Sequence, residues 1–143
     1  MPELLDYANS RSDEILETLR RLVELESFST DKASTDTLSA YIRDRLESTG
    51  AVVQSVPQAT VGDHLIADFG QGEDQTLVLC HMDTVWPPGA IVERPFRIEN
   101  GLAYGPGILD MKAGIAITLH ALEAIQALGL QPRQRVRVLL NSD

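Results

Sequence analysis

Two short stretches of this sequence carry side chains that could do chemistry together. The first is His81-Met82-Asp83, directly after the apolar run TLVLC at 76–80. In extended chain, residues i and i+2 share a side, so His81 and Asp83 project together where a strand ends. An imidazole so placed can bind a metal through one nitrogen, while a neighbouring carboxylate fixes the ring and raises its basicity. As a bare string, His-x-Asp is also an ordinary surface turn. The second stretch is YGPGILDMKAG at 104–114, a Gly/Pro-rich loop that delivers one carboxylate, Asp110, just before an apolar helical run. An acid in that place is also an ordinary helix N-cap. The loop lacks both GxGxxG and GxxxxGK[ST], which sets phosphate binding aside.

Local patterns predict the elements that must carry these groups. Ile15, Leu16, Leu19, Leu22 and Val23 form one apolar stripe of helical period, with Ser12 or Asp13 as its cap. The polar stretch ESFSTDKAST ends it. A second helix is predicted over about 34–49, burying Leu38, Tyr41, Ile42 and Leu46, with Gly50 at its end. Period-two segments at 51–56, 64–69 and 76–80 read as strands, the last two joined by a hairpin-type connection, GQGED. Asn100-Gly101 within 96–104 predicts a tight hairpin. A helix apolar on most sides follows over about 112–128, closed by Gly129 and Pro132, and 134–140 is a further strand. The strand–helix–strand order over 76–140 implies a crossover and parallel pairing. The expected fold is therefore α/β, three-layered, with helices on both faces of a mixed, largely parallel sheet. In such sheets chemistry gathers beyond the carboxyl ends of the strands, here after Cys80 and after Leu140.

Composition narrows the function classes. The 143 residues carry 12 basic and 21 acidic side chains, a net charge of −9. That balance argues against a nucleic-acid partner, which needs a basic face to displace counterions. The Arg133, Arg135, Arg137 alternation reads as one solvated strand face. No apolar run approaches the roughly 18 residues of a membrane span, and MPELLDYANSRSDEIL lacks the basic-then-apolar pattern of a secretory signal. One cysteine, Cys80, precludes an internal disulfide and reads as a small buried residue pointing away from His81. These features suggest a cytoplasmic protein without membrane contact. His64 and His120 read as structural. Trp86 with Pro87 and Pro88 could line a cleft or stiffen a loop, and Lys112 reads as packing or pairing near the site.

The strings HMDTVWPPG and PFRIENGLAYGPGILDMKAG, in this order and at this separation, resemble the co-catalytic zinc peptidases. That family includes bacterial glutamate carboxypeptidase, acetylornithine deacetylase, succinyl-diaminopimelate desuccinylase and aminoacylase-1. The PFR…AYGPG…D-x-K-x-G wording is most similar to the glutamate carboxypeptidase branch, and the resemblance covers nearly the whole chain. It implies that His81 is a ligand of one zinc, that Asp83 is the catalytic carboxylate supporting it, and that Asp110 bridges two zinc ions. A shared carboxylate would offset the repulsion of cations about 3.5–4 Å apart. A bridging water would lose a proton near neutral pH and attack an amide carbonyl. The resemblance also implies a cis peptide after Asp110. Cobalt or manganese would accept the same donors.

In that family, two adjacent glutamates follow the place occupied here by Asn141-Ser142-Asp143. One is a general base and the other a zinc ligand, and a further acid, a distal histidine and a lid domain come later. The resemblance thus implies that residues 1–143 are the N-terminal part of a catalytic domain, and that the complete enzyme is a possible homodimer. A catalytic zinc takes about three protein ligands plus water. His81 and Asp110 supply two between two metals, so this chain alone is expected to bind zinc weakly and to hydrolyse no amide. Strand 134–140 is expected to lack a neighbour, an aggregation hazard. The leading reading is a di-zinc carboxypeptidase or amidohydrolase acting on a peptide or N-acyl amino acid. The alternatives are an N-acyl-amino-acid deacylase of the same family and a non-catalytic binding domain on the same fold.

Overall fold

The computed structural model describes residues 2–142; Met1 and Asp143 lie outside them. The apolar stripe of 15–23 forms α2 (Ser12–Glu24), burying Leu19, Leu22 and Val23. The cap expected at Ser12 or Asp13 does not form. A further helix, α1 (Pro2–Ser10), precedes α2 by one residue, and the Ser12 hydroxyl donates back to the Asn9 carbonyl. In α3 (Lys32–Ser48), Asp31 caps the start by accepting from the Ser34 N–H, while Leu38, Ile42 and Leu46 are fully buried. A short α4 (Ala90–Glu93) and the long α5 (Ala113–Ala127) complete the helices among the described residues.

Six strands follow in chain order: β1 (Val52–Val56), β2 (His64–Phe69), β3 (Gln75–His81), β4 (Arg97–Glu99), β5 (Leu102–Tyr104) and β6 (Arg135–Asn141). The Asn100-Gly101 hairpin joins β4 to β5, with φ of 52° and 76° at its two turn residues. These are the left-handed values that a two-residue hairpin turn demands. The main sheet has the order β1-β2-β6-β3. It is mixed, as expected, but parallel pairing is confined to β3 with β6, while β1–β2 and β2–β6 are antiparallel. Two further expectations are corrected. The 64–69 and 76–80 strands do not pair as a hairpin, because β6 lies between them. The GQGED connection instead spans two strand spacings, about 10 Å, which five residues reach easily. Strand 134–140 therefore has neighbours on both sides, and it is β1 and β3 that border the sheet.

Register explains where the core sits. Cys80, Leu140 and Leu65 stand in one cross-strand row, as do Val78, Val138 and Ala67. That face meets α2, α3 and α5 in one cluster; Ile42, Leu46, Ile115 and Leu119 close over Cys80, Val138 and Leu140. The alternate rows, including Leu77–Arg137–Asp68–Val52, occupy the opposite face. There Leu77 and Leu79 are 55% and 62% exposed. The α/β architecture is as expected, but among the described residues the helices cover one face only. The reason lies in the order of elements along the chain. After α3 it runs through β1, β2 and β3 without another helix to send across the sheet.

Candidate metal centre

Two chain segments meet at the carboxyl end of β3. The first begins with His81, the strand's last residue, whose backbone N–H donates to the Met111 sulfur at 3.3 Å. Beyond it the chain leaves the sheet, and Asp83 folds back beneath the ring. His81 Nδ1 lies 3.1 Å from the Asp83 carbonyl and 3.4 Å from Asp83 Oδ1. Asp83 is buried, and its Oδ2 accepts a 2.5 Å hydrogen bond from the Ser29 hydroxyl. Oδ1 makes no hydrogen bond of its own among the described residues and faces the ring.

The second segment is the turn Gly105–Lys112. The backbone at Asp110 (φ −133°, ψ 94°) and Met111 is not helical, and the Asp110–Met111 peptide is cis. Asp110 is not the cap of α5, since the residue in that position is Lys112. The Asp110 carboxylate instead reaches across to His81, with Oδ1 2.8 Å from Nε2. The two segments press together at Gly107 (φ 72°), where a Cβ would stand 2.5 Å from Cγ2 of Thr84. Only glycine fits that approach and that backbone conformation.

The protonation logic is set by geometry. A carbonyl oxygen only accepts, so His81 Nδ1 carries the hydrogen that it gives to the Asp83 carbonyl. In the neutral ring, Nε2 is then a lone pair. It faces a carboxylate, which also only accepts. Two acceptors at 2.8 Å require a shared proton, since a zinc ion bonded to both at about 2.1 Å would part them to roughly 3 Å or more. Partial burial pulls the His81 pKa down, but the Asp110 carboxylate and then the Asp83 carbonyl more than offset it, so that it stands above the usual value. The site thus stabilises positive charge, and its imidazole nitrogen and carboxylate oxygens suit zinc. Among the described residues no group of three or more His, Cys, Asp or Glu is placed to hold a metal ion.

The cleft around the pair is about 240 Å³, walled by Thr84, Val85 and Trp86 on one side and by Ile108 and Leu109 on the other. Trp86 stacks under Arg94, 4.9 Å from guanidinium to ring centre. Cys80 is buried on the opposite strand face, where burial pushes its thiol pKa up and Thr118 partly opposes this. His120 is remote from the cleft and contacts Thr18 and Glu123, while His64 meets Ser142. Lys112 is fully buried and donates to the carbonyls of Leu22 and Leu25, each at 2.8 Å. Burial, opposed by Glu26, pushes its pKa down to about 8. Sequence reasoning missed Ser27 and Ser29, within the stretch read only as a helix terminator. Their alternation two residues apart is the one local sign that this stretch lies extended against another chain segment.

Known proteins resemble this chain in sequence and in fold. Residues 77–143 match the model for "Peptidase family M20/M25/M40". The chain is 32% identical to carboxypeptidase G2 of Pseudomonas sp. (strain RS-16), over 98% of its own length and 34% of that protein. It is 31% identical to succinyl-diaminopimelate desuccinylase of Xylella fastidiosa (strain M23), over 91% of its length and 34% of that enzyme. Human carnosine dipeptidase 1 shares the fold with a TM-score of 0.87 at 21% identity, over 99% of this chain and 34% of that one. The chain spans about a third of the length of the curated relatives it matches.

Proposed function

Because this chain belongs to peptidase family M20/M25/M40, we propose that it forms part of a zinc-dependent hydrolase that cleaves a peptide or N-acyl amide bond at the His81–Asp110 cleft. The observation that carries the reading is the 2.8 Å approach of His81 Nε2 to Asp110 Oδ1, two cation-seeking groups drawn from separate segments. His81 would hold one ion through Nε2, and Asp110 would offer its oxygens to both. Asp83 holds the ring in the tautomer that leaves Nε2 free, from a buried position that water does not screen. The chemistry a zinc pair supplies when bound is a water acidified to near neutral pH and a polarised carbonyl. The Asp110 side chain is 84% exposed, so that the donor pair opens directly to an entering substrate. Val85, Trp86 and Leu109 give the cleft an apolar rim against which that substrate would lie.

Two donors fall short of the roughly three protein ligands that a catalytic zinc takes. The 143-residue chain alone is therefore expected to bind zinc weakly and to hydrolyse nothing. The identity to carboxypeptidase G2 favours removal of a C-terminal residue; the desuccinylase relatives favour N-acyl amino acids as the second reading. The single buried thiol is consistent with a cytoplasmic setting. The test is metal analysis of the full-length protein, with hydrolysis of C-terminal glutamyl peptides and of N-succinyl amino acids measured side by side. His81→Ala and Asp110→Asn should each lower metal content and cut turnover of the preferred substrate by more than about 100-fold, beyond the loss expected for an outer partner. Full metal content and turnover in both variants would remove the reading.

A further inference from the structure

The end of α2 and the chain just beyond it, Leu22–Ser29, touch every part of the donor pair's support. On the His81 side, the Ser27 hydroxyl donates to the Met82 carbonyl at 2.8 Å, and the Thr84 N–H donates to the Ser27 carbonyl at 2.7 Å. Ser29 follows with three contacts: its N–H donates to the Thr84 carbonyl at 3.0 Å, and its hydroxyl faces Asp83 Oδ2 at 2.5 Å and, at the longer distance of 3.1 Å, the Thr84 carbonyl. Phe28 and Thr84 form an isolated parallel bridge. On the Asp110 side, the ammonium of Lys112 is buried against the Leu22 and Leu25 carbonyls. These are groups that a helix end leaves without partners and that carry the negative pole of its dipole. Between the two, Glu26 accepts from the N–H groups of Gly89 and Ile91 and so ties down the Trp86–Pro88 loop.

We propose that Leu22–Ser29 is a positioning element that sets the spacing of His81 and Asp110, with Ser29 and Lys112 as its positioning residues. The inference rests on the metal reading above. Ser29 fixes the carboxylate that fixes the imidazole. Lys112 fixes the turn that carries Asp110, two residues away. Each acts on a donor through another group and touches no substrate. Packing alone does not require either: an apolar side chain as long as lysine would fill the space without placing an ammonium in the core, and Ser29 is only half-buried.

The experiment uses the full-length protein, freed of metal and titrated with Zn²⁺ against a competing chelator. The variants are Ser29→Ala, Ser29→Thr and Lys112→Met, and each one's thermal midpoint is measured without metal. Ser29→Ala is expected to weaken Zn²⁺ binding by about 10- to 100-fold, the usual loss for an outer partner of a ligand. Its metal-free midpoint should fall by several degrees at most, the cost of taking the hydroxyl donor from the buried Asp83 Oδ2, so that the protein stays folded during the titration. Ser29→Thr, which keeps the hydroxyl, should bind within about threefold of the parent. Lys112→Met should lose affinity and midpoint together; should it not fold, the Ser29 pair decides. The proposal is overturned if Ser29→Ala binds like the parent, or if Ser29→Thr is as weak as Ser29→Ala. A parent protein that takes up no Zn²⁺ overturns the metal reading itself, and this inference with it.

Discussion

At the scale of single residues, the site is defined by which atoms accept and which donate. His81 spends its Nδ1 hydrogen on the Asp83 carbonyl, with the Asp83 carboxylate 3.4 Å away, and turns Nε2 to Asp110. Asp83→Asn keeps the shape of that carboxylate and removes its charge. The expected result is a loss of about 10- to 100-fold in metal affinity or activity, with thermal stability little changed, read by metal titration and calorimetry on the same samples. Unchanged affinity would assign Asp83 to folding alone. As bare strings, His-x-Asp and the Gly/Pro loop before Asp110 read equally as a turn and a cap; the expectation that His81, Asp83 and Asp110 act together came from the resemblance of the two motifs taken in order. Ser29 was not legible. Its partner Asp83 lies 54 positions further along the chain, and no local pattern announces a contact of that range.

At the scale of elements, α2, α3, α5 and the β4–β5 hairpin were legible because their signals are short-range, apolar stripes and an Asn-Gly turn, whereas α1 and α4 went unread. The place of β6 was not. Strand order is decided by which partner completes the most ladder and buries the most surface, and a five-residue connector serves either a neighbouring or a next-but-one strand. The packing of α2, α3 and α5 also encloses a polar cluster whose behaviour can be stated in advance. Arg45 forks onto Glu123, with contacts at 3.0 and 2.5 Å, and His120 lies between Thr18 and Glu123 at 2.9 and 3.0 Å. Burial lowers the His120 pKa; Glu123 opposes this and Arg45 assists it. An unfolded chain protonates its histidine near pH 6.5, whereas the folded one resists. Stability is therefore present above about pH 6.5 and lost as pH falls through the folded value, at no more than about 1.4 kcal/mol per pH unit for this group. His120→Gln should flatten that acid limb. Urea midpoints at pH 7 and pH 5 measure it, and identical profiles for parent and variant would place the slope elsewhere.

At the scale of the whole molecule, the sheet is finished on one side and open on the other. The covered face is continuous from Phe69 to Cys80, while Leu77, Leu79 and Val52 meet solvent. The sequence could not separate these faces, because strands buried on two sides and strands buried on one differ by only a few residues, and the apolar run TLVLC fits either. Leu77→Lys with Leu79→Lys in the 143-residue chain should reduce self-association measured by sedimentation, leaving the thermal midpoint within about 2 °C, as expected where no packed contact is lost. A large fall in midpoint would mean that these leucines are already packed in the folded chain.

The strand that ends in His81 is also an outer border of the sheet. Any further strand that zips onto that border inherits its depth from the same ladder of backbone bonds. The height of the imidazole is set by that ladder too, so that a slip of the border strand by one residue would turn His81 to the other face and part the donor pair.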